Sequence, residues 1–263
     1  EILRNTDKPV IGFTCSDSEK AKETLDMVKI AVGEDETFRD KHHVAVAINP
    51  LSPLGYSGDA LDTIMEYAKL NQIIFLAPCI MAGISGPIHL LGTALLQNIE
   101  ILAGIVFTQL INPGNPVVYS AASHPANMKT ASFVAGSPEG LLLDIAGIQM
   151  GLNFYKIPTR VMAGISDSKV LDPQSGYETM QNLLLSALSG VNIGVQCSGS
   201  LDSVMTTSYE KMMIDDEIIS RVKRVKEGLE VSAETLSVEI IKEVGSGGTY
   251  LTHESTFNHF RNK

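Results

Sequence analysis

The sequence predicts an α/β protein of the (β/α)8-barrel class that lacks its opening strand–helix units. Short apolar runs rich in β-branched residues alternate six times with longer helical patterns, as in parallel sheets buried on both faces. No G-x-G-x-x-G follows the first run and no phosphate-loop motif occurs, which disfavours an open nucleotide-binding sheet. Because a complete barrel needs eight strands in about 250 residues, we expect one partial domain over residues 1–263, and a fragment of a longer protein.

The predicted strands and helices alternate along the chain. The strands are expected at Val10–Cys15, Val44–Asn49, Ile73–Ala77, Val117–Ala122, Thr159–Ile165 and Val191–Cys197. The helices are expected at Ser18–Ala31, Asp59–Leu70, Ile88–Ile111, Pro138–Asn153, Pro173–Ser189, Tyr209–Gly228 and Ala233–Val244. Ser137 and Asp172 precede prolines and predict helix N-caps, whereas Gly190 and Gly245 predict helix ends.

The composition describes a soluble globular protein. Hydrophobic residues make up 44% and charged residues 19% of the chain, which is ordinary for a folded domain. With 20 basic and 30 acidic residues the formal net charge is −10, so a nucleic-acid partner, which needs a basic surface, is not expected. Three cysteines and no secretory signal peptide predict a reducing, cytoplasmic setting.

One apolar segment has to be tested as a membrane span. Ile88–Ile111 is long enough to cross a bilayer, and Glu100 is the only Asp, Glu, Lys or Arg between Asn71 and Met128. Polar or small residues nevertheless form one stripe of the helix: Thr93, Gln97, Glu100, Gly104 and Thr108. Because lipid offers such a stripe no partners, we predict a helix buried in the domain or at a subunit interface, no membrane span, and a homo-oligomer.

Polar side chains accumulate where the predicted strands end. In residues 163–178, AGISDSKVLDPQSGYE, an apolar strand gives way to several polar groups at once. Because the turns after the strands build the active site of a (β/α)8 barrel, these groups predict a site. The candidates for substrate binding are Asn49, Tyr119, Arg160, Ser166, Asp167 and Gln196.

Two of these candidates have structural alternatives, and no catalytic residue is assigned. Asp167 directly follows its strand, so it is expected either to face a cation or to cap backbone amides of the turn. Arg160 lies in a region poor in charge. If buried, it needs an acceptor, which a structural ion pair would supply.

The cysteines suggest a second kind of site. Cys15, Cys79 and Cys197 all lie at or just past a predicted strand end, so they could converge on one zinc ion. None stands in a C-x-x-C or H-x-C spacing, and free cysteine is often a small buried apolar residue. We therefore predict no metal site and keep zinc as an alternative.

Several segments together resemble the trimethylamine methyltransferase family. They are GSPEGLLLDIAGIQMGLNFYKIPTRVMAGISDSKVLDPQSGYE (136–178), LLLSALSGVN (183–192), SYEKMMIDDEI (208–218) and EVGSGGTYLTHESTFNHFR (243–261). The resemblance runs from about Asn49 to Lys263. It implies a (β/α)8-barrel enzyme, longer than this chain at both ends, that moves a methyl group from a methylated amine to the cobalt(I) of a corrinoid. The corrinoid would be carried by a partner protein and not bound tightly by this chain.

The resemblance also bears on the substrate. Trimethylamine-specific members use pyrrolysine, expected near Gly164–Ser166, where this chain has only standard residues. This implies the branch that demethylates quaternary amines such as glycine betaine. The leaving group is then a neutral tertiary amine, so no general acid is needed and positioning supplies most of the rate. Aromatic faces such as Tyr119 or Tyr56 would hold the cation, and Arg160 a carboxylate.

Three alternatives stay open at this stage. The first is a trimethylamine-specific corrinoid methyltransferase. The second is a zinc-dependent thiol methyltransferase on the same barrel. The third is a barrel that binds a methylated amine without turnover. The family often carries histidine where this chain has Gln196 and Cys197, so its substrate pocket is expected to differ from the pockets of those relatives.

Overall fold

The structure is a computed structural model that describes residues 5, 10, 11, 17–33 and 37–262. The chain divides into two compact units, Glu1–Lys223 and Arg224–Lys263. The single domain expected over the whole chain stays a prediction.

A parallel sheet of six strands forms the centre of the first unit. The strands are β1 (Val10–Ile11), β2 (Val44–Ile48), β3 (Ile73–Leu76), β4 (Val117–Ser120), β5 (Thr159–Met162) and β6 (Ile193–Val195). Their order in the sheet is their order in the chain, and every pairing is parallel. The predicted mixed α/β class with a parallel sheet is confirmed. Among the described residues the sheet stays open, with β1 and β6 at its edges, and is not a closed barrel.

A helix stands between each two successive strands. The α-helices that begin in this unit after residue 17 are α1 (Ser18–Val32), α2 (Gly58–Lys69), α3 (Leu90–Ile111), α4 (Pro138–Gln149), α5 (Pro173–Leu188) and α6 (Tyr209–Glu227). The predicted caps are confirmed, because Ser137 accepts from Gly140 N at 3.2 Å and Asp172 accepts from Ser175 N at 2.9 Å. The predicted helix at 138–153 instead changes at Met150 into a π-helical segment, Met150–Tyr155.

The strands are shorter than the apolar runs that predict them. β5 ends at Met162, not Ile165, and β6 covers only Ile193–Val195 of the expected run at 191–197. The chain leaves the sheet after β6 because Gln196 has φ 52°, a left-handed conformation that an extended strand cannot contain. Of the expected first strand the structure describes only Val10–Ile11, and Cys15 lies outside the described residues.

Two apolar layers hold the sheet. On one face, Val46 and Leu76 pack with helix residues such as Leu25 and Ile64. On the opposite face Ala45, Phe75 and Val118 form a second cluster, joined by other strand residues. We call this second side, which faces away from the helices, the inner face.

Helix α3 is turned with its polar side inward. The stripe predicted from the sequence is buried, and Glu100 is only 1% exposed. Its carboxylate accepts from Ser52 Oγ at 2.7 Å and from Leu54 N at 2.8 Å, and its carbonyl accepts from the Tyr56 hydroxyl at 2.8 Å. By length and composition, with mean hydropathy 1.7, α3 could cross a membrane. Its inward polar contacts instead hold it against the loop after β2.

Short strands beyond the sheet were not predicted. Met81–Ala82, His124–Asn127 and Ser132–Phe133 form a three-stranded sheet, and Ser200–Leu201 pairs with Thr206–Thr207. Both lie in loops that follow the carboxyl ends of the main strands. Pairings of two residues are too short to leave a periodic pattern.

The second unit contains α7 (Ala233–Leu236), α8 (Val238–Val244) and α9 (Glu254–Asn262). The prediction of one helix over 233–244 is wrong, because Ser237 at φ 53° separates two helices. Gly245, at φ 64°, ends α8 as predicted.

Candidate functional site

The inner face carries polar side chains at the carboxyl ends of β2 and β4 and near the start of β5. Arg160 is the partner in register of Ser120 on β4. Val161 packs toward the helices, so by strand alternation Arg160 lies on the inner face. By the same alternation, Asn49 follows Ala45 on that face. Two of the predicted residues, Asn49 and Arg160, thus share one side of the sheet.

Arg160 and Ser120 have polar atoms without partners. Arg160 Nε and Ser120 Oγ are buried, and neither has a hydrogen-bond partner among the described residues. Burial lowers the pKa of Arg160, while Cys79 and Asp144 act in the opposite direction. The structural ion pair considered for Arg160 is not among the ion pairs of the described residues. Unpaired buried donors are costly, so this pair favours an acceptor such as a carboxylate.

Asn49 and Cys79 complete this group. Asn49 Nδ2 donates to Ala77 O at 2.7 Å and to Cys79 Sγ at 3.1 Å. Loss of water around the thiol raises the pKa of Cys79, although Arg160 and the Asn49 hydrogen bond lower it in part. Because a raised pKa keeps the thiol protonated near neutral pH, Cys79 is uncharged, as is the amide of Asn49.

Asp167 is hydrogen-bonded in the manner of a turn carboxylate. Its Oδ1 accepts from Ala135 N at 2.8 Å and its Oδ2 from Gly136 N at 2.9 Å. The hydroxyl of Ser203 donates to the same Oδ1. Asp167 therefore joins the segment before α4 to the turn at 202–205. A contact between Asp167 and a cation stays a prediction.

Ser166 is also held by the protein. Its hydroxyl donates to Glu178 Oε2 at 2.7 Å, and the backbone N–H of Asp167 donates to the same oxygen at 2.9 Å. Gln174 Nε2 donates to Glu178 Oε1 at 2.8 Å. Glu178 therefore organises the turn after β5, a role that sequence reasoning missed because Glu178 stands twelve residues after Ser166 in a helix.

A cavity of about 960 Å³ opens beside this turn. It lies among the hairpin at 124–133, the start of α4, the first turns of α5 and the turn at 202–205. Its lining includes the acidic residues Asp167, Glu178 and Asp202, the basic Lys169, and the aromatic Phe133 and Tyr177. Of the six predicted site residues only Asp167 lines it. The structure thus separates the predicted residues into an inner-face group and a cavity group.

The other two predicted residues lie apart from both groups. Tyr119 is buried in the core between sheet and helices, where its hydroxyl donates to Asn98 Oδ1 at 3.2 Å. Tyr56 packs against the same core. Gln196 is exposed in the turn after β6. Their roles in substrate binding stay predictions.

A buried histidine–carboxylate pair joins the segment after β4 to α4 and was not predicted from the sequence. His124 Nε2 lies 3.5 Å from Asp144 Oδ2, and both side chains are buried. Asp144 Oδ1 has no partner among the described residues. Burial raises the pKa of Asp144, with His124 and Arg160 opposing the rise. His124 and Asp144 stand 20 positions apart in the chain, so no short motif marks the pair.

A second buried pair holds the turn after β6. Lys211 Nζ lies 2.7 Å from Asp215 Oδ2, and it also donates to Thr179 Oγ1 at 2.9 Å. Asp215 Oδ2 accepts from Gly199 N at 2.7 Å. An i,i+4 Lys–Asp pair usually marks an exposed helix face, so the pattern alone did not identify it.

The described residues contain no group of three or more His, Cys, Asp or Glu side chains placed to hold a metal ion. The zinc alternative needs Cys15, which lies outside the described residues. Cys197 packs beside Gly164, whose added Cβ would stand 2.6 Å from Cys197 Cα. The zinc alternative therefore stays a prediction.

Comparison with known proteins identifies the family. A family model described as trimethylamine methyltransferase (MTTB) matches residues 1–263. The chain belongs to this family. It is 37% identical over 260 residues to a glycine betaine methyltransferase of Desulfitobacterium hafniense strain Y51, covering 98% of this chain and 54% of that protein. It is 38% identical over 224 residues to the trimethylamine methyltransferase MttB of Methanosarcina thermophila, covering 85% and 46%.

Bacterial and archaeal members of the trimethylamine methyltransferase family are thus both similar to this chain. The MttB of D. hafniense strain DSM 10664 / DCB-2 is 32% identical over 261 residues, 99% of this chain and 52% of that protein. The chain spans about half the length of these relatives.

Proposed function

We propose that the chain is part of a methyltransferase that takes a methyl group from a quaternary amine bearing a carboxylate, such as glycine betaine. Membership of the trimethylamine methyltransferase family supports the reaction class. The observation that supports the substrate is the adjacent pair of buried donors on the inner face, Arg160 Nε and Ser120 Oγ, neither of which has a partner among the described residues.

The sheet is proposed to be one wall of a (β/α)8 barrel that the longer protein completes. The strand order follows the chain and every pairing is parallel, as in such barrels. Closure would enclose the inner face and remove water from Arg160, which strengthens its attraction for an anion. The proposal includes a cytoplasmic homo-oligomer with no nucleic acid or membrane partner.

Arg160 and Ser120 bind the substrate carboxylate in this proposal. A guanidinium can offer two parallel N–H groups to a carboxylate. The ammonium end is then left to neutral groups of the same face, Asn49 and the protonated thiol of Cys79. The N–CH3 bond breaks with its electron pair staying on nitrogen, so the amine leaves uncharged and no proton is required. A corrinoid on a partner protein supplies the cobalt(I) that accepts the methyl group.

The cavity beside Asp167 favours a second candidate, a cationic amine without a carboxylate. Three of its lining residues are acidic, one is basic, and two are aromatic: Asp167, Glu178, Asp202, Lys169, Phe133 and Tyr177. Carboxylates and aromatic faces both attract ammonium groups. Trimethylamine, protonated at neutral pH, or a simple tetraalkylammonium ion would fit this chemistry.

Titration calorimetry of the full-length protein distinguishes the two candidates. Glycine betaine is expected to bind more tightly than tetramethylammonium or trimethylamine. Arg160→Gln should raise the Kd for glycine betaine about 30-fold or more, the loss expected for one partner of a charged hydrogen-bonded pair. It should leave tetramethylammonium binding unchanged. Arg221→Gln, which changes an exposed arginine of α6, is the control.

Equal binding of tetramethylammonium and glycine betaine, unchanged by Arg160→Gln, would support the cavity beside Asp167 as the amine site in place of the inner face. The reaction itself is tested by methylation of a cobalt(I) corrinoid protein with glycine betaine as donor. Binding without methyl transfer under reducing conditions would support the amine-binding barrel in place of the enzyme.

A further inference from the structure

The outward side of α3 is a continuous apolar row. Its exposed residues recur every three or four positions, as Leu91, Leu95, Ile99, Ala103, Val106 and Leu110. Leu91 is 85% and Leu110 78% exposed. Nineteen steps of about 1.5 Å make the row about 30 Å long. An ordinary surface helix has the opposite arrangement, with apolar residues inward and polar residues outward.

The row continues onto neighbouring elements. Ile88 and Met128 both approach Gly83, at 2.8 and 2.9 Å from the position of an added Cβ, and both are exposed. On α4, which packs beside α3, Leu142 is exposed as well. A strip about 30 Å by about 10 Å gives on the order of 300 Å² from α3 alone. Ile88, Met128 and Leu142 add to this area, and a stable interface takes roughly 800 Å² per partner.

Further strands of the longer protein would not cover this row. New strands can join the sheet only at its edges, β1 and β6, and their helices would pack beyond α1 and α6. Helix α3 lies between α2 and α4, in the middle of the helix layer. Whatever buries this row must therefore pack on the helix layer from outside.

The charge pattern favours a second copy of this chain as the cover. Each copy carries a net charge of −10, so most of its surface repels another copy, whereas the outward row of α3 carries no charge. Between Asn71 and Met128 the only Asp, Glu, Lys or Arg is Glu100, which is turned inward. An anionic membrane or an acidic partner would find no lysine or arginine in this segment to bind.

We propose that two copies associate through the outward face of α3. The contact is isologous, since the same row is presented by both copies. It removes from water the large apolar side chains of the row, Leu91, Leu95, Ile99, Val106 and Leu110, and it does not use the inner face or the cavity.

Sedimentation equilibrium of the full-length protein and of its double variant Leu91→Lys/Leu110→Lys tests the proposal. The unaltered chain is expected to form dimers, and the variant to weaken association at least about tenfold. Ile30→Lys, at an 81% exposed apolar position of α1, is the matched control and should leave association unchanged. Circular dichroism confirms that each variant is folded.

A monomeric unaltered chain, or dimers unaffected by the double variant, would overturn the proposal. So would a monomeric chain that floats with neutral phosphatidylcholine vesicles and loses this with Leu91→Lys/Leu110→Lys, because the row would then be a membrane contact. Glycine betaine binding by the full-length protein should be unaffected by the double variant, which separates this proposal from the proposed function.

Discussion

The ammonium of Lys211 lies 2.7 Å from the carboxylate of Asp215, and each side chain is only 1% exposed. Both belong to α6, one helical turn apart. Through Thr179 and the backbone of Gly199 the pair connects α6 to α5 and to the turn after β6. The ion pair therefore holds the turn that carries Gln196 and Cys197.

Asp215→Ala should be among the most destabilising single changes in the chain. It leaves the ammonium of Lys211 buried without its counter-charge, which typically costs about 3–5 kcal/mol. Urea unfolding measures the loss. Glu217→Ala removes an exposed pair with Arg221 on the same helix and should cost less than about 1 kcal/mol. Equal losses for the two variants would show that Lys211 finds water or another acceptor.

Asp167→Asn should lower the free energy of unfolding by about 1–3 kcal/mol, because an amide cannot accept from both backbone N–H groups that the carboxylate now binds. Chemical denaturation measures this. Asp202→Asn is the control, since that carboxylate is partly exposed and lies 4.0 Å from Lys169. Unchanged stability of Asp167→Asn together with weaker glycine betaine binding would indicate instead that Asp167 contacts the ammonium.

Gly164→Ala should disturb the site without changing any polar group. An added Cβ would stand 2.6 Å from Cys197 Cα and 2.7 Å from its carbonyl oxygen. Backbone atoms cannot rotate away, so a cost of about 1–3 kcal/mol or a displaced turn is expected. Thermal unfolding and glycine betaine binding measure the two effects.

Gly176→Ala is the matched control for this change. Nothing lies within 4 Å of an added Cβ at this position of α5, and alanine favours a helix over glycine by about 0.5–1 kcal/mol. The control should therefore be neutral or stabilising. A tolerated Gly164→Ala would mean that the turn after β6 can move without loss.

Asp144 should make stability depend on pH. Burial raises the pKa of its carboxyl above the usual 3.8, so the folded chain holds this proton more tightly than the unfolded chain. The contribution of Asp144 to the free energy of unfolding then decreases as pH rises from about 4 through the raised pKa. Asp144→Asn should remove this slope. Urea unfolding at a series of pH values measures it, and identical slopes for the two proteins would contradict the assignment.

Much of the fold could be predicted from the sequence, because periodicity and capping are local. The five described crossover helices and the buried stripe of α3 follow from apolar spacing and from residues such as Ser137 and Asp172. The division at Ser237 could not be predicted, since serine in a left-handed conformation leaves no pattern. The end of β6 before Gln196 was missed for the same reason.

The candidate site was less predictable, because its arrangement depends on contacts distant in sequence. Asn49, just after β2, and Arg160, near the start of β5, lie on one face of the sheet, and their part in substrate binding stays a prediction. The partners that hold the turn after β5, Glu178 and Ser203, come from other elements. Tyr119 was chosen for its aromatic face, but alternation along β4 turns it toward the helices.

The inward position of Glu100 has a consequence for how the chain is made. Ribosomes release a protein from its amino end, so Ser52 and Leu54, which lie 48 and 46 residues before Glu100, emerge ahead of the apolar helix. When α3 leaves the exit tunnel, the groups that bind its single carboxylate are already present. The segment that most resembles a membrane span can therefore dock onto its own protein while synthesis continues.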